Sequence, residues 1–267
     1  MHPPRLLFAP VVLLAIASPA SSQDISLAPH RAVYEMGLHR SGGPGSVVAV
    51  SGRLVMEFTD TCDGYTLNQR IRTEMTNSDG DTVASDFTIS SWERRDGRRF
   101  RFALKHDLTG EETEEHVGNA EIVPGKPGKA VLSKPEPSTV NLPAGIVFPT
   151  EHLVRLIRAA REGRSHLSTR IFDGSGEDGL FETGAHIGRE LADDSAGSEL
   201  LKPLKGVRSW PVRIAYFPLP EGAETPRYEV QFRMYDNGIG GDLILDYHDF
   251  AMKGTMTLLE LLPQPKC

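Results

Sequence analysis

Hydrophobic and polar residues alternate along most of this chain with a period of two. Tyr65, Leu67, Gln69, Ile71, Thr73 and Met75 interleave with Thr66, Asn68, Arg70, Arg72 and Glu74, so one face is mostly apolar and the other polar. A half-buried strand needs that pattern. It recurs at Ala32, Tyr34, Met36 and Leu38, at Leu54, Met56 and Phe58, and at Phe100, Phe102 and Leu104 between Arg99, Arg101 and Lys105. Later runs are Val212, Ile214 and Tyr216, then Tyr228, Val230, Phe232 and Met234. Leu243, Leu245 and Tyr247 follow, then Met252 and a last run from Thr255 to Leu262. Between them lie Asn77-Ser78-Asp79-Gly80, Arg95-Asp96-Gly97 and Asp236-Asn237-Gly238, whose residues tolerate positive φ. Strands joined this way pair sequentially and antiparallel. Ten or more in one sheet require closure or strong curling to manage the edges. The fold class expected is all-β, mainly antiparallel, a curled or spiral broken barrel.

One segment breaks the rhythm. Leu153, Leu156, Ile157 and Ala160 are spaced for one face of a helix, after Phe148-Pro149-Thr150-Glu151-His152 and before Gly163. The spacing predicts an amphipathic helix over about 150–162, with Thr150 as N-cap and its apolar stripe on the sheet or plugging an open end. Gly125 to Pro143, with Pro124, Pro127, Pro135, Pro137 and Pro143, reads as an irregular crossing, and 189–209 as a mobile loop. No repeat of fixed period is visible.

The N-terminus changes the compartment. Arg5, an apolar run from Leu6 to Ala17 and small residues at Ala20-Ser21-Ser22 have the form of a cleaved export signal over 1–22. The run is too short to span a bilayer. The remainder, 23–267, is read as a single β-spiral domain. An exported chain carries Cys62 and Cys267 into an oxidising compartment, and two cysteines allow one intramolecular pairing, so a disulfide is expected. Terminal Cys267 suits a structural bridge rather than a redox-active one.

The formal net charge of −7 disfavours nucleic acid and anionic membrane surfaces as partners. Arg94, Arg95, Arg98, Arg99 and Arg101 crowd one hairpin, and read as a charged strand edge that blocks edge-to-edge pairing. Candidate chemistry is sparse. Nucleophile-elbow, zincin, P-loop and CxxC motifs are absent. No two histidines fall at i, i+2 or i, i+4, so no local metal ligand set is visible and neither metal nor cofactor is expected. Asp173 to Gly179 alternates oxygen-bearing residues as calcium loops do, but lacks their sixth-position Gly and twelfth-position Glu, so a polar turn is expected. Asp246 and His248 would share a strand face, yet no nucleophile or oxyanion site accompanies them. The catalytic set is therefore empty and the protein reads as a non-enzyme.

Several landmarks in this order carry a resemblance: Ala28-Pro29-His30-Arg31-Ala32-Val33-Tyr34, Cys62-Asp63-Gly64-Tyr65, Phe148-Pro149-Thr150-Glu151-His152, Phe172-Asp173-Gly174, Trp210-Pro211-Val212, Tyr235-Asp236-Asn237-Gly238, Asp246-Tyr247 with Asp249-Phe250, and terminal Cys267. Over about 28–267 the chain resembles the EipB-type cell envelope integrity proteins of alphaproteobacteria. The resemblance implies a periplasmic broken β-barrel with a Cys62–Cys267 disulfide and a role in envelope integrity under stress, and it does not imply catalysis. His248 stands where the family pattern has glycine, which argues against a glycine-only conformation there. Two readings follow. The first is a monomeric factor binding an envelope protein or peptide, for which a curled sheet offers free edges. The alternative is a binder or carrier of lipid or another apolar envelope molecule in a barrel cavity.

Overall fold

Each predicted alternating run pairs with its neighbour in the computed structural model, which describes residues 25–43, 45–219 and 224–267. The expected export signal, 1–22, lies outside the described residues. The strands are β1 (His30–Ser41), β2 (Val47–Asp60), β3 (Gly64–Asn77), β4 (Thr82–Arg94), β5 (Arg99–Leu108), β6 (Glu111–Glu121), β7 (Gly128–Lys134) and β8 (Ser138–Leu142). Helix α1 (Pro149–Arg161) follows, then β9 (His166–Phe172), β10 (Leu180–Ile187), β11 (Ser209–Pro218), β12 (Tyr228–Tyr235), β13 (Gly240–Asp246) and β14 (Phe250–Leu261). All fourteen form one sheet in the order 8-7-6-5-4-3-2-1-14-13-12-11-10-9. Consecutive strands pair antiparallel, except β8 and β9. The one long-range pairing, β1 with β14, lies in the middle.

This order makes β8 and β9 the edges, although they are consecutive in sequence. The sheet curls until they face each other. Between them Val147 makes a parallel bridge to Ile171, donating its N–H to Arg170 O at 2.9 Å and accepting from Phe172 N at 3.0 Å. The result is a nearly closed barrel. Ile146, Val147, Phe148, Phe100, Phe102 and Phe172 are buried across the seam. Phe100 stacks on Phe148 at 5.1 Å and Phe102 meets Phe172 edge-on at 5.6 Å.

Helix α1 lies inside one end of the barrel, here called the lower end. Its buried Leu156, Ile157, Ala159 and Ala160 join Phe58 and Tyr65 from one wall and Ile187, Trp210, Val212 and Met234 from the other. The predicted stripe is the buried face, but the cap differs. The N-cap is Phe148, without a side-chain bond, and Thr150 lies within the first turn. The acceptor for the free amides is distant in sequence: the Glu93 carboxylate takes Thr150 N at 2.7 Å and Glu151 N at 2.8 Å. Gly163 follows the helix at φ +71°, the left-handed conformation expected of a residue past the C-cap.

Two other expectations are corrected. The proline-rich stretch 125–143 contains β7 and β8. Its prolines fall in the turns and beyond the strand ends, while Ala130, Leu132, Val140 and Leu142 face the core. The arginine-rich hairpin is not an edge, because β3 and β6 pair along its outer sides. Its guanidiniums are matched locally: Arg94 to Asp96 at 2.5 Å, Arg99 to Glu121 at 3.0 Å, and Arg101 over the Trp92 ring. The 189–209 segment forms no strand before Ser209, where β11 begins, but is anchored, with Leu204 buried and Asp194 paired to Arg233.

Cys62 and Cys267 are bonded, their Cα atoms 5.6 Å apart across 205 residues of chain. The bridge ties the β2–β3 turn to the tail that follows β14. Arg95 braces the same turn through Asp60 at 2.5 Å, the Tyr65 hydroxyl at 2.7 Å and Cys62 O at 3.0 Å.

Candidate functional site

Strand parity sends two classes of side chain into the barrel. Around α1 most inward residues are buried, with Leu67, Leu167 and Phe232 partly so. Toward the opposite, upper end no second helix covers them among the described residues, and inward-facing Ile71, Phe87, Ile89, Val230, Leu243 and Leu245 retain partial exposure. An interior wall of apolar groups that water still reaches is the composition of a small-molecule chamber. On the same wall Leu54, Leu104 and Met252, the ladder partners of Ile71, Ile89 and Leu245, are buried.

Aromatic rings from successive strands line the upper mouth. Tyr216 of β11 and Tyr228 of β12 oppose each other in the ladder and stack at 4.5 Å. Phe181 of β10 meets both edge-on at 5.7 and 5.8 Å. The run continues through Tyr247 to Phe250 at 5.4 Å. Burial, with Asp173 nearby, pushes the Tyr216 phenol up, and burial chiefly does the same to Tyr228. Both therefore stay neutral and serve as hydrogen-bond groups on an apolar surface. Burial also raises the Asp173 carboxyl, against the hydrogen bonds from Ser175 that lower it.

Below the chamber, beside the first turn of α1, lies a cavity of about 120 Å³ lined by Leu27, His30, Met56, Phe58, Leu67 and Leu153. The His30 ring is held by a 2.8 Å bond between Nδ1 and Ala28 O, and its buried Nε2 has no partner among the described residues. Burial lowers the His30 pKa, which leaves a neutral acceptor in a mainly apolar hollow that Thr150 and Asn237 also line. A depression of about 870 Å³ on the outer wall is different in kind. Three guanidiniums on it are answered by carboxylates: Arg31 by Glu57 at 2.6 Å, Arg53 by Glu35 at 2.6 Å and Arg70 by Asp86 at 2.5 Å. Arg72, the fourth guanidinium on that surface, has no carboxylate of its own among the described residues and acts on Asp86 only through space.

Sequence-level candidates fall as follows. Asp173 to Gly179 is a polar turn between β9 and β10, with Asp173 Oδ1 accepting Ser175 N at 2.9 Å and Ser175 Oγ at 2.7 Å. Asp246 ends β13, but His248 lies in the β13–β14 turn, so the two do not share a strand face. His248 N donates to Asp246 Oδ1 at 3.0 Å and its Nε2 contacts Pro226 O, while Arg40 pairs with Asp246 at 2.6 Å. His248 does adopt the glycine-favouring conformation, φ +69°, contrary to expectation. Those two contacts offset a backbone cost of about 1–2 kcal/mol. His248→Gly should accordingly stay within about 0.5 kcal/mol of wild type in urea unfolding, whereas β-branched His248→Val should lose about 1–2 kcal/mol.

The ring of mouth aromatics was not singled out from sequence. The usable signal is parity: Tyr216 and Tyr228 close the apolar faces of their runs at the ends that meet in space.

The chain matches the EipB-like family model over residues 21–263. The cell envelope integrity protein EipB of Brucella abortus is 34% identical over 248 residues, spanning 92% of this chain and 87% of that one. A crystal structure of a β-barrel-like protein of a domain of unknown function, also from Brucella abortus, aligns with a TM-score of 0.80 at 32% identity. The alignment covers 90% of this chain and 100% of the other. No helix among the described residues is long and apolar enough to cross a membrane.

Proposed function

The chain belongs to the EipB-like family, and on that footing we propose that it is a periplasmic, non-catalytic factor supporting cell envelope integrity by holding an apolar envelope molecule in the upper barrel. The observation that carries this reading is the partly exposed, inward-facing apolar wall of Ile71, Phe87, Ile89, Val230, Leu243 and Leu245 beneath the tyrosine-lined mouth. A chain whose core was complete would bury such groups, since each fully buried aliphatic or aromatic side chain contributes about 1.5–3 kcal/mol. A ligand of similar polarity supplies that burial instead. The single domain 23–267, released by export, is the unit proposed to act.

Native mass spectrometry of periplasmically produced, detergent-free protein is expected to show cleavage of the leader, loss of two hydrogens to the disulfide, and a retained lipid-sized mass. The apo protein should bind the fluorescent fatty acid cis-parinaric acid saturably. Ile71→Trp and Val230→Trp, which fill the chamber, should weaken that binding without loss of fold. An apo mass together with no probe binding would overturn the reading.

One observation favours a second reading, the binding of an envelope protein or peptide. Among the described residues the outer edge of β8 (Ser138–Leu142) has no strand beside it in the sheet, and the bridge from Val147 to Ile171 spans the seam. A photocrosslinker at Asn141 that captured a defined periplasmic chain, while the protein carried no apolar ligand, would decide for it.

A further inference from the structure

His166 and His186 are opposite residues of the β9–β10 ladder, and both are exposed on its outer face. Their rings meet edge to face with centroids 5.0 Å apart, and Nδ1 of His186 lies 3.4 Å from Nε2 of His166. The other nitrogen of His166, Nδ1, is 2.9 Å from Ser165 Oγ. Two imidazole nitrogens bound at about 2.05 Å to one tetrahedral ion stand about 3.4 Å apart. The unligated pair therefore already has the spacing of a chelate. Ser165 occupies Nδ1 and so reserves the Nε2 lone pair of His166 for the gap, which is how metal-bound histidines are commonly oriented.

We propose that His166 and His186 form a two-imidazole site for a divalent first-row ion, binding Cu²⁺ more tightly than Zn²⁺. The remaining coordination positions go to water, for which there is room. A depression of about 650 Å³ lined by Ser165, His186 and Glu190 adjoins the pair. Most of the surrounding cations are compensated: Arg213, opposite His186 on β11, is paired with Glu229, Arg164, next to Ser165, with Glu162 at 2.9 Å, Arg161 with Asp236 at 2.6 Å and Arg208 with Asp236 at 3.5 Å, while Arg189 has no carboxylate partner among the described residues. The ladder converts two histidines 20 residues apart in sequence into neighbours, which no local spacing rule detects.

The experiment is a Cu²⁺ titration of the full, tag-free chain, followed by calorimetry and by electron paramagnetic resonance. Wild type should take up one tight equivalent with the hyperfine signature of two nitrogen ligands. His166→Ala and His186→Ala should each weaken that equivalent at least about 10-fold and remove the two-nitrogen signature. Both side chains are exposed, so circular dichroism and melting temperature should not move. Ser165→Ala should weaken Zn²⁺ binding about 10-fold by freeing the His166 ring. Cu²⁺ affinity that is unchanged in either histidine variant, or a wild-type titration matching that of the double variant, would overturn the proposal.

Discussion

Replacing Cys62 or Cys267 with serine is expected to lower the unfolding free energy by about 2–5 kcal/mol, equally for either change, with the double variant no worse than the singles. The magnitude comes from the unfolded chain. A cross-link spanning 205 residues removes loop-closure entropy that the chain-entropy model puts at about 5 kcal/mol. Little else holds the tail: the last backbone bond near it is Leu262 N to Pro29 O at 2.8 Å, and 263–267 is largely exposed. Equality of the two singles follows because each removes the same covalent link and little packing. Equilibrium denaturation in guanidinium, with oxidised wild type as reference, measures it. Singles that differ by more than about 1 kcal/mol would mean that local contacts of the β2–β3 turn, not the bridge, carry the effect.

The second large effect should appear at Glu93. This side chain is buried, and burial pushes its carboxyl up to about 7 against the opposing pull of the Thr150 and Glu151 amides. A folded-state pKa above the unfolded value of 4.5 means that the native protein binds the extra proton between those limits. The stabilising contribution is fully present below pH 4.5 and is lost as pH rises through 7, about 3 kcal/mol in all. His152 on α1 acts in the opposite direction. Burial, then Arg155, lowers its pKa from 6.5 to about 4, so its contribution is full above 6.5 and lost as pH falls through 4. The whole-protein pH profile therefore mixes two opposed slopes. The difference between wild type and Glu93→Gln isolates one of them: relative to the variant, wild type should lose about 3 kcal/mol on going from pH 4.5 to 7.5. Parallel profiles for the two proteins would refute the assignment. Glu93→Ala, which leaves two amides at the start of the helix without their acceptor, should cost about 2–4 kcal/mol at pH 5.

These two residues also show where the sequence could be read and where it could not. Period-2 faces such as Ala32, Tyr34, Met36 and Leu38 carry their information locally, because a strand's side-chain geometry depends on its own backbone. They predicted the strands, their antiparallel sequential pairing and the need to curl. β7 and β8 were obscured, since prolines signal turns more strongly than five to seven alternating residues signal a strand. The N-cap was misplaced for a related reason. Thr150 has the right chemistry for the role, but the helix had already begun at Pro149, and its amides are satisfied by a carboxylate 57 residues earlier.

By itself, the sequence determined the fold class, the single helix and its apolar face, and the one available cysteine pairing. Each depends on residue type and spacing along the chain. The tertiary structure alone decided that β1 pairs with β14, that α1 packs at one end, and that apolar residues beneath a run of aromatic rings stay partly exposed toward the other. It also placed Glu93 under the helix and His166 beside His186. The physical reason is common to all of these: each is a meeting of residues far apart in the chain, set by sheet register and closure, and alternation constrains which face a residue takes but not which distant strand it will meet.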